Sequence, residues 1–356
     1  MTVNPDIPQE IIEKIIGCAT ADEPNFSSTA SLVSPIFHQI VLPNKFRSLT
    51  FWNRIREGVF VGRDIVPIPY FCKAINAGDA HALSLVPFVQ ELNLLEWCDE
   101  DGYDNDLILE PFEKIINSVL SFRNLRKMQM KGCVTSPAIM EQLGKLVQLR
   151  SLHIWNCQDE GYGDMVLYGA LSNLQSLRTL ECVGNSHCFE HHLACIPMEN
   201  LRILISHDMA VTKALLTTNP PIQLKMLYLG HNQYDDYPLL WNFLAKATSL
   251  TNLFLPNLEL PDGITSPIFH FPNLQYLFAR VTFAPCFADQ PMNRMRIKTK
   301  SKPNQAMVEV RQRWQGIVFP HVEHLETDLG RSETESVPKE FWKEFVLNVK
   351  TVQRCQ

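Results

Sequence analysis

The chain of 356 residues has no run of about 18 consecutive apolar residues, so no membrane span is expected. Its N-terminus has no apolar signal core; Asp6, Glu10 and Glu13 come early. There is no C-x-x-C pair, no G-x-S-x-G and no glycine-rich phosphate loop of useful specificity. These absences remove the commonest signals of redox, hydrolase and nucleotide chemistry. Charge of one sign does not dominate: the net value of -6 argues against a general nucleic-acid binder. The ten cysteines follow no regular framework, and the chain is long enough to build a core without staples. They read as reduced thiols of an intracellular protein, cytoplasmic or nuclear. With 46% hydrophobic and 20% charged residues, the composition is that of an ordinary globular chain.

What is present is a recurring segment. Leu224-Lys225-Met226-Leu227-Tyr228-Leu229-Gly230-His231-Asn232 has leucines two apart, which share one face of a strand, and an asparagine where the strand turns. Leu149 to Cys157 and Leu177 to Asn185 repeat it. Looser versions begin at Val89, Leu125, Leu201, Leu250, Leu274 and Val322. From Leu125 to Leu274 the anchors fall 23–28 residues apart. The segment resembles the leucine-rich repeat, L-x-x-L-x-L-x-x-N, whose period is about 20–29 residues. The 48 residues between Leu274 and Val322 are twice 24, which predicts one degenerate repeat between them.

Between anchors, apolar residues recur with helical period: Met140, Leu143 and Leu146 after Ser136-Pro137, then Leu239, Leu240, Phe243, Leu244 and Ala247. The expected fold is therefore α/β: a curved leucine-rich repeat solenoid, parallel sheet inside and helices outside, over residues 46–356. Two stretches depart from the pattern. Asp99 to Asp106 reads as a solvated acidic loop, since its glycine and carboxylates miss the spacing of a calcium-binding loop. Arg294 to Lys302 reads as a basic loop within about residues 285–312.

The first 45 residues have a different character. Asp6 and Gln9 can cap a helix, which then shows a full face of Ile7, Ile11, Ile12, Ile15 and Ile16. Three short helices bury little by themselves, so this face needs cover from a partner or from the next domain. Ile7 to Ile16 (Ile-Pro-Gln-Glu-Ile-Ile-Glu-Lys-Ile-Ile) resembles the opening of an F-box. Leu32-Val33-Ser34-Pro35-Ile36-Phe37 is similar to its closing part. Leu42 to Phe51 is similar to the strand entry of F-box proteins of the fungal leucine-rich type. The middle, Thr20 to Ser28, lacks the usual Asp-Leu-Leu step, and Phe37 stands where tryptophan is commoner. The resemblance implies docking on a Skp-family adaptor through Ile7, Pro8, Ile11, Ile12, Ile15, Ile16 and Leu32, and through it a cullin-RING ubiquitin ligase. The chain would then be a substrate adaptor with no catalytic residue and no cofactor. The alternative is a repeat scaffold outside any ligase.

One enzymatic lead exists. His187, Glu190 and His191 match H-x-x-E-H, a metallopeptidase pattern, with Cys195 nearby. It lies between two repeat anchors, where a coil offers no deep cleft. Recognition is the stronger expectation. Residues alternating with the inward leucines should line the concave face and bind a target protein: His153, Trp155, His207, Tyr228, Phe254, Tyr276, Phe278 and Arg280. The rival expectation is that the C-terminal Phe341, Trp342, Phe345 and Val346 fold across that face and cover it.

Overall fold

The computed structural model describes residues 41–53, 68–98, 105–159, 170–184, 197–207, 209–217, 223–230, 237–259, 269–298, 303–328 and 339–354. The isoleucine-rich segment 7–16, Leu32 and the H-x-x-E-H motif at 187–191 lie outside these residues, as does most of the acidic stretch; its last two residues open a helix. The chain divides into two compact units, residues 1–134 and 135–356.

In the first unit, strands β1 (Ser48–Trp52), β2 (Glu91–Trp97) and β3 (Lys127–Thr135) pair in parallel, Ser48 opposite Glu91 and Glu91 opposite Lys127. Helices α1 (Tyr70–Asn76), α2 (Ala80–Leu85) and α3 (Asn105–Val119) form the returns. Asp79 caps α2 by accepting from the Ala82 amide at 2.7 Å. Trp97 stacks on Phe112 at 5.6 Å and donates its indole N–H to the Phe51 carbonyl at 3.0 Å.

In the second unit the continuous ladder takes one short strand from each coil: β4 (Ser151–Trp155), β5 (Thr179–Val183), β6 (Ile203–Ser206), β7 (Met226–Leu229), β8 (Asn252–Leu255), β9 (Tyr276–Arg280), β10 (Arg294–Lys298), β11 (His324–Thr327) and β12 (Thr351–Arg354). They pair in that order, all parallel. The register keeps like on like: Leu152, Leu180, Leu204, Leu227, Leu253, Leu277, Met295 and Leu325 form one buried row. Each such side chain contributes roughly 2 kcal/mol by leaving water, but only if its neighbours in the next coil are present.

The returns are α4 (Pro137–Gly144), α5 (Met209–Leu216), α6 (Tyr237–Lys246), α7 (Pro303–Arg313), α8 (Lys339–Trp342) and short 3-10 turns. Ser136 starts α4 by accepting from the Ile139 amide at 3.2 Å, as its sequence position before proline suggested. Ser206 replaces an inward leucine without leaving a buried polar orphan: the Thr212 hydroxyl donates to its Oγ at 2.8 Å. Asn156 closes β4 with φ 49°, a left-handed conformation that asparagine tolerates. Gly184 is required at the equivalent place after β5. Its φ is 88°, and a Cβ there would fall on the Asn156 side-chain amide.

Two expectations change. The basic stretch is not a loop over its first half. Residues 294–298 form β10, and about it residues 284–287 form a 3-10 turn and 303–313 form α7. Met295 and Ile297 alternate inward and are fully buried, while Arg294, Arg296 and Lys298 point the other way. This strand is the degenerate repeat that the doubled spacing predicts; charge had masked its period of two. Nor does the C-terminal segment lie across the sheet. Phe341, Trp342 and Phe345 pack around Trp314, with ring centroids of 6.1 Å (Trp342) and 5.6 Å (Phe345) from it, inside the last coils. Among the described residues no helix is long and apolar enough to cross a membrane.

Candidate functional site

On β4 to β9 the residues alternating with the buried row, Arg280 excepted, are partly exposed, so the second unit presents one sheet face on which side chains from successive coils stand side by side. Parallel, in-register strands put like positions about 5 Å apart, close enough for aromatic rings to touch. They do. His207, just past β6, stacks on Tyr228 at 4.8 Å; Tyr228 meets Phe254 at 5.7 Å and Phe254 meets Tyr276 at 5.1 Å. Phe278 lies opposite Phe254 in the register. Five of the expected residues thus form one aromatic patch.

His153 and Trp155 form a separate group on β4, their rings edge-to-face at 6.4 Å. His153 Nδ1 lies 2.6 Å from Glu181 Oε2, and its Nε2 lies 2.7 Å from the Ser151 hydroxyl. Both ring nitrogens are therefore engaged within the protein. The Trp155 indole nitrogen is buried without a hydrogen-bond partner among the described residues.

Arg280 is placed differently from the rest. It is 5% exposed, its Nε donates to the Pro256 carbonyl at 3.4 Å and its Nη1 is paired with Glu259. Burial pushes its pKa down, opposed by the charges of Asp328 and Glu309. Through these contacts Arg280 ties β9 to the preceding coil. In its place the sheet face carries three cations that reading the basic stretch as a loop had hidden: Arg294, Arg296 and Lys298 on β10. Arg294 lies over Tyr276 at 5.7 Å and Arg296 over Phe278 at 4.6 Å. The alternation Arg-Met-Arg-Ile-Lys was the signal available in the sequence.

Electrostatics follow the packing. Burial raises the Tyr228 phenol above its ordinary 10.0, against the pull of the Arg296 charge. Burial by the neighbouring ring lowers the His207 imidazole below 6.5, with Glu181 pulling it back up. A histidine depressed in the folded state favours folding fully above 6.5, and that contribution is lost as pH falls through the lower folded value. The ring is largely exposed, so the stability change is small and the titration midpoint is the useful readout. A proton NMR titration should place His207 below 6.5, and Tyr228→Ala should move it upward. A midpoint indifferent to Tyr228 would contradict the stacking. Among the described residues no three His, Cys, Asp or Glu side chains are grouped to hold a metal ion.

No family model and no curated protein matches the sequence. Among solved structures the chain is similar to that of a TLR13-ssRNA13 complex, with 12% identity and a TM-score of 0.39, covering 76% of this chain and 41% of that one. It is also similar to an internalin from Listeria monocytogenes, with 18% identity and a TM-score of 0.27, covering 56% of this chain and 64% of that one. A third similarity is to the Rad7 and Elc1 complex of yeast, with 13% identity and a TM-score of 0.35, covering 95% of this chain and 97% of that one. The chain spans less than two thirds of the length of the first two. By its period, its in-register parallel strands and its buried leucine rows, the second unit has the fold of a leucine-rich repeat array.

Proposed function

We propose that this chain is the substrate-recognition adaptor of a Skp–cullin–F-box ubiquitin ligase, holding a target protein on the sheet face of its second unit. The observation that carries the recognition half is the half-exposed row of touching aromatics, flanked by arginines, drawn from consecutive coils. Aromatic and arginine residues dominate interface energetics, and repeat faces of this kind are built from many coils at once. The ligase half is supported by the F-box-like pattern of residues 7–16 and 32–37.

In this reading ubiquitin transfer is performed by other subunits. The chain contributes proximity: holding a target lysine beside a charged conjugating enzyme converts a bimolecular encounter into an effectively intramolecular one. The test is co-expression of the full chain with a Skp-family adaptor. The wild type should co-purify with it. Ile11→Asp with Ile15→Asp should weaken the association by at least about thirtyfold, the loss expected for two buried apolar anchors. The thermal unfolding of the repeats should not change. Tyr228→Ala with Phe254→Ala should leave the adaptor bound. A folded wild-type chain that does not associate would leave a repeat scaffold acting outside any ligase.

A further inference from the structure

The three cations of β10 differ in what they already hold. Arg294 donates to Glu326 Oε1 at 2.9 Å, and Lys298 donates to Asn257 Oδ1 at 2.9 Å. Arg296 rests on the Phe278 ring, and its Nε is buried without a hydrogen-bond partner among the described residues. A guanidinium stays charged at any pH a protein meets, so it cannot escape this cost by losing its proton. The side chain remains half-exposed on the sheet face. A carboxylate is the group whose planar, two-oxygen geometry matches it.

The row leading to Arg296 is apolar. In the register Ile205 lies opposite Tyr228, Tyr228 opposite Phe254, Phe254 opposite Phe278 and Phe278 opposite Arg296. At a strand spacing of about 4.8 Å this row is about 19 Å long, the reach of about six residues of extended chain. Beyond Arg296 stands Glu326, already engaged by Arg294. The face therefore has an apolar bed ending in Arg296, the one of the three cations with no hydrogen-bond acceptor among the described residues.

The geometry points to an extended segment of a partner protein, laid across the strands, with an acidic side chain on Arg296 and apolar side chains over Phe278, Phe254 and Tyr228. This rests on the reading of the sheet face as the recognition surface and adds the chemistry of what it recognises. Single-stranded nucleic acid fits less well. Bases need open ring faces to stack upon, and here His207 and Tyr228 stack on each other while Phe254 stands tilted between Tyr228 and Tyr276 at 5.7 and 5.1 Å.

Fluorescence anisotropy on the full chain tests this, using short labelled peptides that carry an apolar tract followed by Glu, Gln or Lys. The Glu peptide should bind about tenfold more tightly than the Gln peptide, the factor expected for one charge-assisted hydrogen bond, and the Lys peptide weakest. Arg296→Met, which keeps the apolar stem on Phe278, should erase the preference for Glu. Lys298→Met, which leaves the Arg294–Glu326 pair in place, should preserve it, and thermal unfolding of both variants should match the wild type. Equal binding of Glu and Gln peptides overturns the acidic assignment and leaves the face a recognition surface. No binding by any peptide overturns both. A labelled oligouridylate that binds more tightly than the Glu peptide overturns the choice of a polypeptide.

Discussion

Leu227→Asp and Tyr228→Asp, one residue apart, should have opposite consequences. Leu227 is fully buried in the row between Leu204 and Leu253. Aspartate there removes apolar volume and brings a carboxyl group with no partner into a space built for leucine. The loss should be at least about 4 kcal/mol, more than an array coil can absorb. Coils on either side of β7 then lose their shared neighbour, so cooperative unfolding should split or vanish. Tyr228 is half-exposed on the other side of the same strand. Aspartate there should leave the unfolding transition within a small shift while abolishing binding at the face, since it sets a negative charge on the path to Arg296. Circular dichroism melts of the two variants are the measurement. Similar melts would mean that β7 does not have the register assigned to it.

Trp314→Ala should free the end of the array. Trp314 follows α7, has no exposed surface, and donates its indole N–H to the Val281 carbonyl at 2.9 Å. Its ring lies 4.8 Å from Phe319, 5.6 Å from Phe345 and 6.1 Å from Trp342. It is thus the contact through which the last two coils hold the one before them. Truncation should cost about 3–5 kcal/mol through the cavity, and it also leaves a buried carbonyl without its donor. Stability in stacked repeats is a sum of neighbour interfaces, so the damage should stay local. Hydrogen exchange should show lost protection at β11 and β12 before β7 or β8 opens. Uniform loss across the second unit would show that the coils are more strongly coupled than their contacts suggest.

The residues that made the array visible are those whose environment is set by their own strand. Leu227 and Leu229 announce an inward face because a period of two leaves no other consistent arrangement, and the spacing of Leu125, Leu149 and Leu177 announces the coil length. The aromatic patch was legible for the same reason: Tyr228, Phe254 and Phe278 occupy the same place in successive copies of one pattern.

Arg280 and Arg296 mark the limit of that reasoning. Both alternate with buried residues, Arg280 at the end of β9 and Arg296 in the middle of β10. Arg280 is turned inward by Glu259 and the Pro256 carbonyl, which belong to the preceding coil more than twenty residues earlier. Arg296 has no such partner among the described residues and lies on Phe278, which the preceding coil supplies. The fate of Phe341, Trp342 and Phe345 turned likewise on Trp314, a residue whose burial depends on their presence. By itself the sequence determined the repeat, its period and the division of each strand into an inner and an outer row, because those follow from backbone geometry and the cost of wetting leucine. Only the tertiary structure decided which charges are spent inside the protein and which stay on the sheet face, because a buried cation is governed by whatever another coil brings within hydrogen-bond reach.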